Sequence, residues 1–180
     1  MTLPNILTIL RIILIPGFVA MYFTSLPGRF TYSVVILLIS GITDVLDGYI
    51  ARKYHLESKL GAVLDPLADK LMQFTVFICL YLSNMIPGWL VALLLIKELT
   101  MGVGTFVLLK KKIVVQANAS GKIATCVFYI TAFFIMLLQP QYLVSSILAL
   151  IAVLSALYAM ASYGVNFFKV MKNEKDQNTI

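Results

Sequence analysis

Long apolar stretches, separated by short polar or turn-forming segments, run along almost the whole chain. A transmembrane helix needs about 20 mostly apolar residues, and six stretches meet this length. We therefore predict an all-α integral membrane protein, a bundle of six transmembrane helices with a short N-terminal interfacial segment, Leu3 to Thr8. The predicted spans are roughly residues 5–25, 31–52, 59–82, 87–109, 120–139 and 142–168.

The chain reads as a single membrane domain over residues 1–180. No internal repeat, low-complexity tract or second domain interrupts the pattern. The polar tail, residues 172–180, is expected to fray.

Composition agrees with a bilayer environment. Hydrophobic residues make up 61% of the 180 positions and charged residues 12%, whereas soluble domains average about 45–50% and about 25%. The net charge of +6 does not indicate a nucleic-acid partner. The basic residues lie at the ends of apolar runs and not in a stripe interleaved with aromatic side chains.

The basic residues also predict the orientation of the chain. The connections after the first, third and fifth spans hold only one basic residue, Arg29. The connections after the second and fourth spans, and the C-terminal tail, hold most of the lysines. By the positive-inside rule, we predict a multi-pass protein of the cytoplasmic membrane with both termini in the cytoplasm.

Four aspartates lie inside predicted spans, where an ionisable residue is costly and by default marks a functional site. Asp44 and Asp47 are three residues apart in the second span, and Asp65 and Asp69 are four apart in the third. Each pair therefore shares a helix face. At about 1.5 Å rise per residue, both pairs lie roughly 10–15 Å below the cytoplasmic edge. We predict that the pairs face one another.

Four carboxylates in a low-dielectric cavity require protons or bound cations. Oxygen ligands suit magnesium, manganese or calcium, and four carboxylates suit two ions. Structural hydrogen bonds between helices, or an ion path, are the alternative interpretations. Arg52 lies one turn beyond Gly48 on the same side as the aspartates. Its planar guanidinium could bind a phosphate there, although it could equally anchor the helix at the interface.

The aspartates belong to a longer motif. Asp44-Val-Leu-Asp47-Gly48-Tyr-Ile-Ala51-Arg52, eight residues, and Gly61-Ala-Val-Leu-Asp65-Pro-Leu-Ala-Asp69 resemble the signature of the CDP-alcohol phosphatidyltransferases, with all eight fixed positions met. This resemblance implies that an acceptor alcohol attacks the phosphorus bearing the diacylglycerol of a CDP-linked lipid, and that CMP leaves. It also implies a homodimer.

The resemblance further implies the roles of individual residues. Magnesium or manganese, as two ions, would bind Asp44, Asp47, Asp65 and Asp69, and Asp69 would also be the catalytic general base. The implied CDP-diacylglycerol-binding residues are Asn5, Asp44, Gly48, Arg52, Ser58 and Gly61.

The acceptor depends on fewer residues. Within the family, the opening Pro4-Asn5-Ile-Leu-Thr-Ile-Leu-Arg11 and the run Leu64 to Lys70 are most similar to phosphatidylglycerophosphate synthases, whose acceptor is glycerol 3-phosphate. The residues expected to bind the acceptor phosphate are Lys97, Lys122 and Lys70.

Other interpretations of the acceptor region stay open. Relatives that use glycerol 3-phosphate carry basic residues where this chain has Thr105 and Ala124, and an arginine in place of Lys97. Cardiolipin synthases, with phosphatidylglycerol as acceptor, are therefore the alternative. Lys97 and Glu98 could also form a buried ion pair without a substrate role. A divalent-cation transporter is the remote alternative, although such proteins often show repeated halves.

Overall fold

Six α-helices form the computed structural model of the protein, which describes residues 3–54, 61–110 and 119–177. The helices coincide with the six predicted spans to within a few residues, apart from the longer sixth, and the all-α prediction is confirmed. Their bounds are α1 Leu3–Phe23, α2 Arg29–Lys53, α3 Gly61–Leu82, α4 Gly88–Lys110, α5 Ala119–Leu138 and α6 Tyr142–Gln177.

Two helix ends differ from the prediction. The first helix is continuous from Leu3 to Phe23 and contains Pro16, so the predicted interfacial segment is not a separate element. Proline is tolerated in membrane helices because neighbouring groups satisfy the freed backbone carbonyl. The sixth helix continues past residue 168 to Gln177, through part of the tail that was expected to fray. No glycine or proline follows Gly164 to end it earlier.

The chain reverses direction at three short connections that follow α1, α3 and α5. Each connection contains one residue in the left-handed backbone region, namely Gly28 (φ 78°), Asn84 (φ 54°) and Gln139 (φ 43°). Glycine and asparagine adopt this conformation at low cost, which agrees with the turn signals in the sequence.

Four helices among the described residues are long and apolar enough to cross a membrane. These stretches are Ile6–Phe23, Arg29–Ala51, Ser120–Leu138 and Tyr142–Val165. The other two helices, α3 and α4, are 22 and 23 residues long, and each contains three charged residues. Large apolar side chains such as Val45 and Leu143 are exposed on the outside of the bundle, which suits contact with lipid.

The packing of the bundle places α1 against both α2 and α3, while α2 also contacts α5, and α6 contacts α4 and α5. Where α2 meets α5, the ring of Tyr129 lies over Gly41. A Cβ atom at that position would lie 3.1 Å from Cε1 of the tyrosine. The glycine therefore allows the two helices to approach closely.

The charged ends of α1, α2 and α3 lie at one end of the bundle. Arg11 is about two turns into α1, Asp47 is less than two turns before the end of α2, and Asp65 is one turn into α3. These three side chains are in direct contact. The start of α1, the end of α2 and the start of α3 are therefore neighbours.

Candidate active site

Three of the four predicted aspartates converge in the structure. Asp44 and Asp47 from α2 and Asp65 from α3 each offer a carboxylate oxygen, and these oxygens lie within 4.8 Å of one another. The side chain of Asp47 is 2% exposed, whereas those of Asp44 and Asp65 are 30% and 37% exposed. The triad is therefore closed at its inner end and open at its outer side.

Arg11 lies among the three carboxylates and is fully buried. Its Nη1 atom is 2.7 Å from Oδ1 of Asp44 and 2.9 Å from Oδ1 of Asp65, and its Nη2 atom is 2.5 Å from Oδ2 of Asp47. Charged groups this deep persist when they are paired and hydrogen-bonded. The guanidinium thus joins α1 to α2 and α3.

Arg11 was not among the predicted site residues. The signal was available, because an arginine inside an apolar stretch meets the same criterion that identified the aspartates. The sequence could not show toward which neighbouring helix Arg11 points, since α1 contacts both α2 and α3.

The donor set fits a hard divalent cation. Each carboxylate has two oxygens, and Arg11 contacts one oxygen of each. The second oxygen of Asp47, Oδ1, is buried with no hydrogen-bond partner among the described residues. A buried acceptor without a partner is costly. A magnesium or manganese ion would satisfy it with the oxygen ligands that such ions prefer.

Asp69 lies one turn beyond Asp65 on α3 and is mostly buried, but it is not part of the triad. Its Oδ2 atom accepts a hydrogen bond of 3.0 Å from Nε2 of Gln73. Its Oδ1 atom is buried without a partner among the described residues. The sequence analysis did not identify Gln73, whose only signal is its position one turn further along the same helix face.

A second charged cluster, Lys70, Lys97 and Glu98, joins α3 to α4 beside Asp69. Oε1 of Glu98 is 2.5 Å from Nζ of Lys97 and 3.2 Å from Nζ of Lys70. Lys97 is 5% exposed, and Lys70 is about one-third exposed. Two lysines share one glutamate, so the cluster carries a formal charge of +1 next to the anionic triad.

Asp69 connects the two clusters electrostatically. The charges of Arg11 and Asp65 act on its carboxylate, and so do those of Lys70 and Glu98. A carboxylate within the electrostatic reach of both clusters can exchange a proton with a molecule bound across both.

The remaining predicted site residues fall into three groups. Gly48 directly follows Asp47 on α2, and Gly61 begins α3 one turn before Asp65. Lys122 is exposed at the start of α5, and no contact in the described ranges joins it to Lys70 or Lys97. Ser58 and the side chains of Asn5 and Arg52 lie outside the described residues, so their predicted roles remain predictions.

Similarity to known proteins agrees with this arrangement. Residues 1–158 match the family model described as CDP-alcohol phosphatidyltransferase. A Bacillus subtilis protein named CDP-diacylglycerol–glycerol-3-phosphate 3-phosphatidyltransferase is 35% identical over 135 residues, which cover 68% of this chain and 70% of that protein. An Aquifex aeolicus protein of the same name is 28% identical over 183 residues, covering 97% and 100%.

Relatives with another name also match. A Mycobacterium tuberculosis protein provisionally named cardiolipin synthase is 41% identical over 98 residues, which cover 54% of this chain. The aligned part is 46% of that relative, so the chain spans about half the length of the mycobacterial protein.

The region that matches the family includes every residue of both charged clusters. It covers all of the first five helices and the first part of α6. The eight signature residues between Asp44 and Asp69 lie in this region as well. On the length of this match, and with the triad assembled as the signature requires, the chain belongs to the CDP-alcohol phosphatidyltransferase family.

Proposed function

We propose that the protein transfers a phosphatidyl group from CDP-diacylglycerol to glycerol 3-phosphate, forming phosphatidylglycerophosphate and releasing CMP. The observation that carries this proposal is the setting of Asp69, which lies one turn from Asp65 of the triad and next to Lys70 of the lysine cluster, and whose buried Oδ1 has no hydrogen-bond partner among the described residues. The aspartate triad can bind the metal that a pyrophosphate requires, and the lysine cluster can bind an acceptor that carries a phosphate. The names of the Bacillus and Aquifex relatives support the same acceptor.

Asp44, Asp47 and Asp65 would bind the divalent metal, and Asp69 would lie at the edge of the metal site. The metal would be magnesium or manganese, bound as two ions. When bound, the metal supplies positive charge that stabilises the pyrophosphate and the departing CMP. Gly48 and Gly61 carry no side chain, which would let the nucleotide lipid approach the backbone closely. Asn5, Arg52 and Ser58 would bind the same lipid.

Asp69 would act as the general base. The acceptor's hydroxyl oxygen forms a bond to the phosphorus that carries the diacylglycerol, and its proton moves to the free oxygen of Asp69. The bond from this phosphorus to the bridging oxygen breaks, and its electron pair leaves with CMP. Gln73 orients the carboxylate by donating to its other oxygen.

Lys70 and Lys97 would bind the acceptor phosphate. Glu98 neutralises only one of the two ammonium groups, so the cluster retains one positive charge for an anion. Lys97 is almost fully buried, where an ionic contact is weakened little by solvent.

A second acceptor is supported by a separate observation. Two relatives named as cardiolipin synthases are each 41% identical to this chain, over 98 and 101 residues. Ala124, at a position where glycerol-3-phosphate-using relatives carry a lysine, is buried and offers no charge. Phosphatidylglycerol is therefore the alternative acceptor for the same chemistry, whereas the family match favours an enzyme over a cation transporter.

We also propose that all six helices cross the cytoplasmic membrane, that both termini are cytoplasmic, and that the protein is a homodimer. The charged ends of α1, α2 and α3 meet at one end of the bundle, which would face the cytoplasm, where CDP-diacylglycerol headgroups and glycerol 3-phosphate are accessible.

The acceptor is tested by measuring CMP release from CDP-diacylglycerol by the purified protein. With magnesium or manganese, we expect rapid CMP release with glycerol 3-phosphate, little release with phosphatidylglycerol, and loss of about 10²-fold or more in a chelator. Release with phosphatidylglycerol but not glycerol 3-phosphate would identify the alternative acceptor. No release with any alcohol in the presence of metal would refute the proposed reaction.

Asp69→Asn is expected to separate chemistry from binding. The amide keeps the shape and the hydrogen bond with Gln73 but cannot accept the acceptor's proton, so the transfer rate should fall by about 10²–10⁴-fold. CDP-diacylglycerol binding, measured by equilibrium binding of radiolabelled lipid, should remain. Asp44→Asn is the comparison, since loss of a triad ligand should remove the binding as well. Equal loss of binding in both variants would make Asp69 chiefly a metal ligand.

Lys97→Met is expected to act on the acceptor alone. Methionine keeps the apolar length of the side chain but removes the charge, so the KM for glycerol 3-phosphate should rise by about 10-fold or more. The KM for CDP-diacylglycerol should change little. Lys53→Met, at an exposed lysine at the end of α2, is the control and should leave both values unchanged. An unchanged KM for glycerol 3-phosphate in Lys97→Met would show that Lys97 is only a structural partner of Glu98.

The orientation is tested by single cysteines in a background that lacks Cys79 and Cys126. Cysteines at Lys53 and Lys111 should react with a membrane-impermeant maleimide only when it reaches the cytoplasmic side. A cysteine at Leu26, between α1 and α2, should react only from the opposite side. Reaction of the two lysine positions from opposite sides would contradict the topology.

A further inference from the structure

Arg11 is a fully buried cation that takes no part in the steps of the proposed reaction. It lies in α1, outside the eight signature residues, and contacts all three members of the aspartate triad. Two opposite functions fit these contacts. Arg11 could compete with a metal ion for the carboxylates, or it could hold them in the geometry that the ion requires.

The distribution of contacts favours the second function. The guanidinium contacts Oδ1 of Asp44, Oδ1 of Asp65 and Oδ2 of Asp47, one oxygen of each carboxylate. Oδ1 of Asp47 lies buried without a partner in the described part of the chain, although the side chain is only 2% exposed. One half of this carboxylate is thus fixed by Arg11, and the other half is left available to a further cation.

The charges point to the same conclusion. Three carboxylates and one guanidinium leave a formal charge of −2 at the triad, so the site still attracts divalent cations with Arg11 in place. Without Arg11, the three carboxylates would repel one another strongly at separations within 4.8 Å. They would then move apart or take up protons whenever metal is not bound.

The shape of the side chain also matters. A guanidinium presents its N–H donors in a rigid plane, so three oxygens held by Nη1 and Nη2 have fixed relative positions. Nη1 also lies 3.5 Å from the backbone oxygen of Asp65, which adds a contact with the start of α3. A lysine would supply the same charge as a flexible point and would not fix the three oxygens together.

We propose that Arg11 is a positioning residue for the divalent-metal site. It holds one oxygen of each of Asp44, Asp47 and Asp65, so that the remaining oxygens are assembled before the metal arrives, and it remains in place when the metal is bound. The inference rests on the metal site of the proposed function, but not on the identity of the acceptor alcohol.

The test is a manganese-binding titration of the purified protein in detergent, with free Mn²⁺ measured by electron paramagnetic resonance. Arg11→Met, which removes the charge and the planar donors, should bind Mn²⁺ at least about 10-fold more weakly than the wild type. Arg11→Lys should bind with intermediate affinity. Arg29→Met should bind like the wild type, because Arg29 contacts a backbone oxygen of Thr24 and the ring of Phe30 and lies far along the chain from the triad.

Thermal unfolding supplies a second readout. In chelator, Arg11→Met should unfold at a lower temperature than the wild type, and saturating Mn²⁺ should widen the difference, because the variant that binds the ion more weakly gains less stabilisation from the same ion concentration. A residue that only supports the fold would lower the unfolding temperature equally with and without metal and leave Mn²⁺ affinity unchanged. If Arg11→Met does not fold, Arg11→Lys carries both measurements.

The outcomes separate the inference from the proposed function. Tighter Mn²⁺ binding by the Arg11 variants would show that Arg11 competes with the metal, and equal binding would show that it has no role in metal binding; either result would overturn the inference alone. Failure of the wild type to bind Mn²⁺ would overturn the metal site and the inference together. Weaker binding in Arg11→Met with partial rescue in Arg11→Lys is the result that the proposal requires.

Discussion

The structure depends on the cost of placing charged groups inside an apolar bundle. Ionised carboxylates separated from water are stable only when cations and hydrogen-bond donors surround them. The triad, which α2 and α3 contribute, obtains its resident cation from α1. The ion pairs of Arg11 therefore add to the contacts that α1 makes with both of these helices. The remaining helices complete the enclosure, with α4 contributing a lysine and a glutamate at the level of Asp69.

Two clusters of opposite net charge result from this arrangement. The triad with Arg11 is anionic and suits a divalent cation, whereas Lys70, Lys97 and Glu98 are cationic and suit a phosphate. Asp69 interacts electrostatically with both clusters, and its Oδ1 has no hydrogen-bond partner within the described ranges. The proposed reaction between a pyrophosphate and a phosphorylated alcohol would use both environments at once, with Asp69 as the proposed base.

Much of the fold was predictable from local sequence pattern. The length of each apolar stretch and the turn signals between them determined six helices, since backbone hydrogen bonds must be satisfied within each segment in a membrane. The bounds of α2 to α5 agree with the predicted spans to within two residues. The end of α6 was not predictable, because a polar sequence without glycine or proline permits both a helix and a frayed tail.

For the site, the sequence by itself determined which carboxylates could act together. Spacings of three and four residues place each aspartate pair on one face, and similar depth places the pairs opposite each other. Only the tertiary structure decided that Arg11 contacts the triad and that Asp69 pairs with Gln73. It also decided that Glu98 joins Lys70 to Lys97, whereas Lys122 makes no such contact among the described residues. Periodicity specifies directions within one helix, whereas contacts between helices depend on rotation and packing that no single helix encodes.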